Sequence, residues 1–368
     1  MTPDHANPFD IDADITRATT PTPPAYTDES IYQLAREAIF ARSWQLIADL
    51  DDVKVPGAVH PVTFLQGCID EPLILTRDLQ DAIHCLSNVC THRGTILAEH
   101  PDCTRSLTCR YHGRRFDLDG RCKHMPEFDQ VEDFPSDADH LTRLQWGRWG
   151  SLIFAALDPF VPLDEWLAPV RDRLPWFDAD SLTLDPARSR DYLVDANWAL
   201  YCDNYLEGFH IPFVHASLNQ TLDFSSYACE LSPHAILQIG VSRDPADAFD
   251  LPADSPDHPR PIAGYYYFLF PNTMLNVYPW GVSVNIVKPL AVDRTRVSFL
   301  TYVNDPDRLD RGAGAGLDRV EREDEAVVEA VQRGMRSRLY KHGRYSPSQE
   351  QGVHHFHRML ARFFALPR

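Results

Sequence analysis

Basic residues are scarce in this chain: 35 Lys and Arg stand against 53 Asp and Glu, a net charge of -18. A surface of that sign repels phosphate backbones and anionic headgroups, so neither nucleic acid nor a membrane surface is an expected partner. Long hydrophobic runs are missing as well. No window approaches the roughly 20 apolar residues that a bilayer-spanning helix needs. The first 14 residues have neither the basic start nor the apolar core of a secretion signal. Cysteine is thin, eight in 368 residues, which excludes a disulfide scaffold. A cytoplasmic, reducing location is therefore expected, where cysteines at special spacing read as ligands. Internal repeats and a Gly-x-Gly-x-x-Gly fingerprint are also absent, so no dinucleotide site is expected on this chain. What is present is ordinary for a globular protein with room for two domains: 44% hydrophobic and 24% charged residues.

Residues 1–26 end in Thr-Pro-Thr-Pro-Pro and show no periodicity, which predicts an extended arm. Behind Thr27 and Asp28 as caps, Ile31, Leu34, Ala35, Ala38 and Ile39 recur at helical spacing, so 27–45 reads as an amphipathic helix against a core. From about 46 to 155, short apolar runs such as Leu73-Ile74-Leu75 and Leu152-Ile153-Phe154 are broken by Gly, Asp and Pro, the pattern of a small antiparallel β domain. Residues 156–368 mix both periods, with helices expected near 195–210 and 317–339. The Pro- and Asp-rich stretch 242–261 reads as a surface loop.

Chemistry concentrates in two places. Cys90-Thr-His92-Arg-Gly94 is followed by Cys109-Arg-Tyr-His112-Gly113, with sixteen residues between His92 and Cys109. Zinc is the bland reading, but a Cys-x-His pair is cramped for two ligands of one ion. A binuclear cluster removes the difficulty: Cys90 and Cys109 take one iron and His92 and His112 the other, the Rieske [2Fe-2S] arrangement. The glycine behind each His supplies the tight turn.

The second place is Asn197 to His215. Trp198, Tyr201, Cys202, Tyr205 and Phe209 form one helical stripe suited to core packing, and Asp203, Glu207 and His210 fall at i, i+4 and i+7 on another. Pro212 between His210 and His215 is expected to break the helix and let both imidazoles meet one metal. Two His and one carboxylate with open positions suit Fe(II) and O₂. In the helix after Gly312–Gly316, Asp324 lies on the stripe of Leu317, Val320, Val327, Val331 and Met335, and a buried carboxylate there needs a cation, donors or a metal. A salt-bridged structural Asp is the alternative. Glu321, Glu323 and Glu325 fall off the stripe and are expected on a solvated face.

Both constellations, in this order, resemble the α subunits of Rieske non-haem iron ring-hydroxylating oxygenases over roughly residues 30–368. The resemblance implies an α+β protein, with an antiparallel β Rieske domain inserted beside a helix-grip (START-like) catalytic domain, assembled as a head-to-tail homotrimer. It also implies a [2Fe-2S] cluster and a mononuclear Fe(II) held by His210, His215 and Asp324. Electrons come from a separate NAD(P)H-dependent flavin/iron-sulfur reductase, and pass from His112 of one subunit to Glu207 of the next. Glu207 stands where the aromatic-ring dioxygenases usually have Asp. That, with Glu323-Asp324 and Phe-Pro-Asn272-Thr-Met-Leu-Asn276, is similar to the choline monooxygenase, carnitine oxygenase and betaine demethylase subgroup. Arg114 departs from the Trp of many members. Thr95 and Tyr111 occupy the positions of the extra cysteines that form a disulfide in respiratory Rieske proteins.

Hydroxylation or N-demethylation of a small organic substrate, including a quaternary ammonium compound, is the expected activity. An aromatic-ring hydroxylating dioxygenase and a Rieske electron carrier with a ligand-binding domain are the alternatives. Tyr201, Tyr205, Phe209, Tyr265, Tyr267, Phe268 and Trp280 are the candidate pocket aromatics. They would suit a methylated cation or an arene, and several of them belong to a plain core.

Overall fold

The computed structural model describes residues 8–215, 218, 221, 223 and 226–365. The chain forms two compact units: Ala41–Leu163, and the segment up to Phe40 together with the chain from Asp164 onward.

The smaller unit is built from three antiparallel sheets. One joins Gln45–Asp49, Leu152–Ala156 and Gln145–Trp149; the second runs Ile83–Ser87, Glu71–Arg77, Ala58–Phe64 and Asp102–Cys103. The third is a miniature sheet of Leu107–Thr108, Arg115–Phe116 and Cys122–His124. Leu73, Ile74 and Leu75 are all fully buried. Their strand is covered on both faces, which is why it reads as a continuous apolar run instead of an alternation. Val59, Ile74, Leu86 and Phe116 form one core with Cys90 and Cys109, so the cysteines of the motif are rooted in a buried core of the unit.

The larger unit centres on a seven-stranded antiparallel sheet in the order Thr183–Val194, Arg294–Val303, Gly281–Ala291, Thr273–Tyr278, Ile262–Leu269, Ala235–Val241, Ala228–Ser232. Every residue of Ala235–Val241 and Thr273–Tyr278 is buried, because helices and loops cover both faces. One face carries Leu163–Arg173, whose Trp166 donates its indole N–H to the Phe270 carbonyl at 2.8 Å. The other is gripped by the helices Leu317–Met335 and Gln351–Ala365, so the fold is α+β with a helix-grip core.

Several local expectations are revised. The helix expected over 195–210 is only Trp198–Tyr205, started by Asn197, whose side chain accepts the Ala199 N–H at 2.9 Å. Gln238 donates to the Tyr205 carbonyl at 2.7 Å and closes its end. Asp203, Glu207 and His210 therefore do not share a helical stripe. Pro212 breaks nothing: it sits in the first turn of a new short helix, Ile211–Val214, where its missing N–H is harmless.

In Leu317–Met335 the buried line runs through Glu321, Val328 and Gln332, while Val331 is 38% exposed. The inward face is thus rotated by about one residue from the apolar stripe, toward polar groups. Of the stretch 1–26, residues 1–7 lie outside the described set. Phe9 and Ala18 are buried, and Thr19 bridges to Arg344, so the remainder is pinned to the larger unit. The 242–261 loop is likewise not a plain surface loop. Asp257 is 2% exposed and accepts from Arg173 at 2.7 Å and from the Tyr265 hydroxyl at 2.9 Å.

Candidate metal centres and active-site cavity

In the smaller unit the two Cys-His loops are the same turn built twice. The Cys90 N–H donates to Thr95 O at 2.8 Å and Gly94 N–H to Cys90 O at 3.0 Å; Cys109 N–H donates to Arg114 O at 2.8 Å and Gly113 N–H to Cys109 O at 2.9 Å. Gly94 and Gly113 both have φ of 74°, the left-handed conformation that only glycine adopts without strain. The unequal Cys-x-His and Cys-x2-His spacings thus sit on equivalent backbones. Cys90 and Cys109 are buried and interact with each other, while the His92 and His112 rings stand 4.9 Å apart nearer the surface. All eight cysteines are free.

The His112 Nδ1 is buried and has no hydrogen-bond partner, as a metal-donating nitrogen would be. A buried thiol pair and an imidazole pair on two matching loops, with such an orphan, fit a [2Fe-2S] group. Arg114, in place of Trp, is 2% exposed. It ion-pairs with Asp139 and donates to Thr91 Oγ1 at 3.1 Å, so it ties the second loop to the first.

In the larger unit His210, His215 and Asp324 come together, with one candidate ligand atom from each lying within 4.8 Å of the others. His215 Nε2 lies 3.0 Å and His210 Nε2 3.4 Å from Asp324 Oδ1. Each imidazole is oriented from behind by a carboxylate: His210 Nδ1 lies 2.6 Å from Glu207 Oε1, and His215 Nδ1 lies 2.8 Å from Glu323 Oε2. Carboxylate-backed histidines presenting Nε2 to one point are what a metal site requires. Burial works against protonating His210, but Asp324 and Glu207 outweigh it and lift its pKa to about 9. Asp324 also accepts from Asn204 Nδ2 at 2.7 Å. Glu207 is placed by its own turn, since its Oε2 accepts the His210 backbone N–H at 3.0 Å.

Beside this cluster lies a cavity walled by Tyr201, Tyr205, Tyr227, Tyr266, Tyr278 and Phe299. Of the candidate pocket aromatics, only Tyr201 and Tyr205 line it. Strand alternation explains the main error: Tyr266 faces the cavity, so Tyr265 and Tyr267 point to the opposite face, where Tyr265 meets Trp176 and Phe249. Phe268 packs against Phe356 of the C-terminal helix at 5.3 Å, Trp280 stacks on Tyr278 from behind at 5.2 Å, and Phe209 is 49% exposed.

Two acids expected on a solvated face are in the site instead. Glu323 is the support of His215. Glu321 is 3% exposed, accepts from the Tyr201 hydroxyl at 2.5 Å, and burial pushes its carboxyl well above the usual range. Apolar periodicity could not find them, because the helix packs against a polar cavity and not only against oil. Glu325, by contrast, is only partly buried.

This geometry has close relatives. A family model for the ring-hydroxylating α subunit catalytic domain matches residues 179–365, and one for the Rieske [2Fe-2S] domain matches 43–135. The chain belongs to the ring-hydroxylating oxygenase α subunits. Choline monooxygenase of Arabidopsis thaliana is 31% identical over 96% of this chain and 84% of its own length. The carnitine monooxygenase oxygenase subunit of Escherichia coli is 27% identical over 99% of both chains. Among solved structures, a quaternary ammonium Rieske monooxygenase in complex with L-carnitine superposes with TM-score 0.73 at 24% identity, covering 97% of this chain and 99% of that one. Naphthalene 1,2-dioxygenase from Rhodococcus sp. superposes at 0.72 and 19% over 95% of each. The protein is thus a Rieske oxygenase, of a family that carries a [2Fe-2S] cluster and a mononuclear iron. Among the described residues, no helix is long and apolar enough to cross a membrane.

Proposed function

We propose that this oxygenase hydroxylates a carbon next to the nitrogen of a small quaternary ammonium compound. Cys90, Cys109, His92 and His112 would hold the cluster, and His210, His215 and Asp324 the iron. The observation that carries the reading is the join between the carboxylate-backed His210, His215, Asp324 set and a tyrosine-walled cavity. Aromatic faces hold a methylated cation at up to about 2 kcal/mol each when desolvated. Choline monooxygenase and the carnitine monooxygenase oxygenase subunit, which this chain resembles, support a substrate of that class.

The bound iron supplies O₂ activation, and the cluster supplies an electron. The chain's own work is positional. Glu207 and Glu323 fix the two imidazoles, Asn204 fixes Asp324, and the tyrosine walls exclude water and orient the substrate. Overall, a C–H carbon, O₂, two electrons and two protons give the alcohol and water. On an N-methyl group the alcohol collapses to formaldehyde and the demethylated amine.

The electrons come from a separate NAD(P)H-dependent flavin/iron-sulfur reductase, and the chain works as a cytoplasmic homotrimer in which Glu207 connects to His112 of a neighbouring copy. Exposed aromatics support that docking: Tyr111 beside His112 is 57% exposed, and Phe209 and Phe213 flanking His210 are 49% and 82% exposed. The test is a single turnover of chemically reduced protein with O₂ and choline, carnitine, betaines or simple arenes. A hydroxylated amine or formaldehyde is expected; a hydroxylated or dihydroxylated arene as the only product overturns the substrate class.

A further inference from the structure

The cavity contains a carboxyl group that the metal site does not use. Glu321 lies one helical turn before Asp324, on the same inward face of Leu317–Met335, and lines the cavity beside it. Its Oε2 is taken by the Tyr201 hydroxyl, but Oε1 is buried with no hydrogen-bond partner. An unsatisfied buried carboxylate oxygen opposes folding, and proteins keep such groups where a ligand completes them. No Lys or Arg is among the residues lining the cavity. The positions of the adjoining 216–225 segment outside the described set (216, 217, 219, 220, 222, 224 and 225) hold none either.

We infer that Glu321 is the counter-charge for the substrate's ammonium group, and so the residue that selects a cation over a neutral molecule of the same shape. The inference rests on the substrate class proposed above. Its spacing suits the reaction. In the reaction proposed above the carbon to be hydroxylated is bonded directly to the charged nitrogen. Recognition of that charge must therefore occur within a few ångströms of the metal ligands, and three residues of helix span about 4.5 Å. Tyr201, held by its bond to Glu321, presents its ring beside that charge, so carboxylate and aromatic face act on one cation. Glu321 touches substrate and not the metal, which separates its role from that of Asp324.

The test compares choline with 3,3-dimethylbutan-1-ol, its neutral carbon isostere, binding to the full-length protein with both metal sites loaded, by calorimetry. Wild type is expected to prefer choline at least tenfold. In Glu321→Gln, which keeps the acceptor for Tyr201, choline binding should fall at least tenfold while isostere binding stays unchanged. Removing the buried carboxylate should leave the melting temperature equal or higher, a combination that a merely structural role would not give. Tyr201→Phe, which removes only the supporting hydrogen bond, should weaken choline by less than Glu321→Gln does.

Choline preference retained in Glu321→Gln overturns this assignment and leaves the substrate class standing. Wild type that binds choline no better than the isostere overturns the assignment as well. Wild type that binds neither choline nor tetramethylammonium overturns the substrate class itself, and the assignment with it.

Discussion

At the residue scale, the metal cluster shows how much of a site lies behind its ligands. His210 and His215 present Nε2 to Asp324 only because Glu207 and Glu323 take their Nδ1 atoms. Supports of this kind typically tune metal affinity by 10–100-fold. Glu323→Ala should therefore lower iron occupancy in that range, while Asp324→Ala abolishes it; both should retain the visible absorption of the cluster. Iron analysis alongside the spectrum checks this. Glu207→Gln should leave both sites filled yet slow electron transfer between them, read as the rate of cluster oxidation in a single turnover. Arg114 makes a separate point. It is 2% exposed and paired with a partner that is 24% exposed, so Asp139→Ala leaves a buried cation unpaired. Discounted for the partner's exposure, the cost is about 1–3 kcal/mol, visible as a lower denaturation midpoint.

At the element scale, the site depends on where helices stop. Trp198–Tyr205 ends before Glu207, Ile211–Val214 begins after His210, and the turn between them carries the two residues that matter. That turn is held from outside. A Cβ on Gly352, in the first turn of the C-terminal helix, would lie 2.5 Å from the Leu206 carbonyl oxygen. Gly352→Ala should force the helix and the turn apart, at a cost of about 1–3 kcal/mol. Because Glu207 and His210 ride on the turn, the rate should fall by more than the loss of folded protein explains. Thermal melts and kcat measured on the same sample separate the two effects.

At the scale of the whole molecule, charge and exposed surface set the behaviour. In the smaller unit Asp78, Asp119 and Asp139 are each held below the usual carboxylate value. Burial opposes this, but hydrogen bonds and the facing His84, Arg121, Arg143 and Arg114 outweigh it. Depressed carboxylates stabilise the fold above their unfolded value of 3.8 and lose that contribution as pH falls through their lower folded values. Circular dichroism of the intact protein should therefore report unfolding setting in below about pH 3.8. Burial raises Glu321 instead, so its effect has the opposite sign and does not protect the fold at neutral pH. The exposed Phe213 should belong to an interface between copies. Phe213→Asp is expected to yield a monomer by light scattering, with bound iron unchanged and turnover lost.

Short-range residue spacing was enough to fix the two chemistries and the order in which they occur. The Cys-His loops need particular residues at short range, and a local turn with its glycine is legible from spacing alone. The His210 and His215 pair is legible for the same reason. Distant partners were harder, because helical periodicity reports which face avoids water, not which face meets a polar cavity. Asp324 could be singled out as a charge among apolar neighbours, but Glu321 and Glu323, one turn before it and next to it, could not. The tyrosines failed for a related reason. Every residue in Ile262–Leu269 is apolar or aromatic, so composition cannot say which alternate side chains face the cavity. Only the pairing of that strand in the sheet, and the helices packed on its two sides, turned Tyr266 toward the site and Tyr265 and Tyr267 away from it.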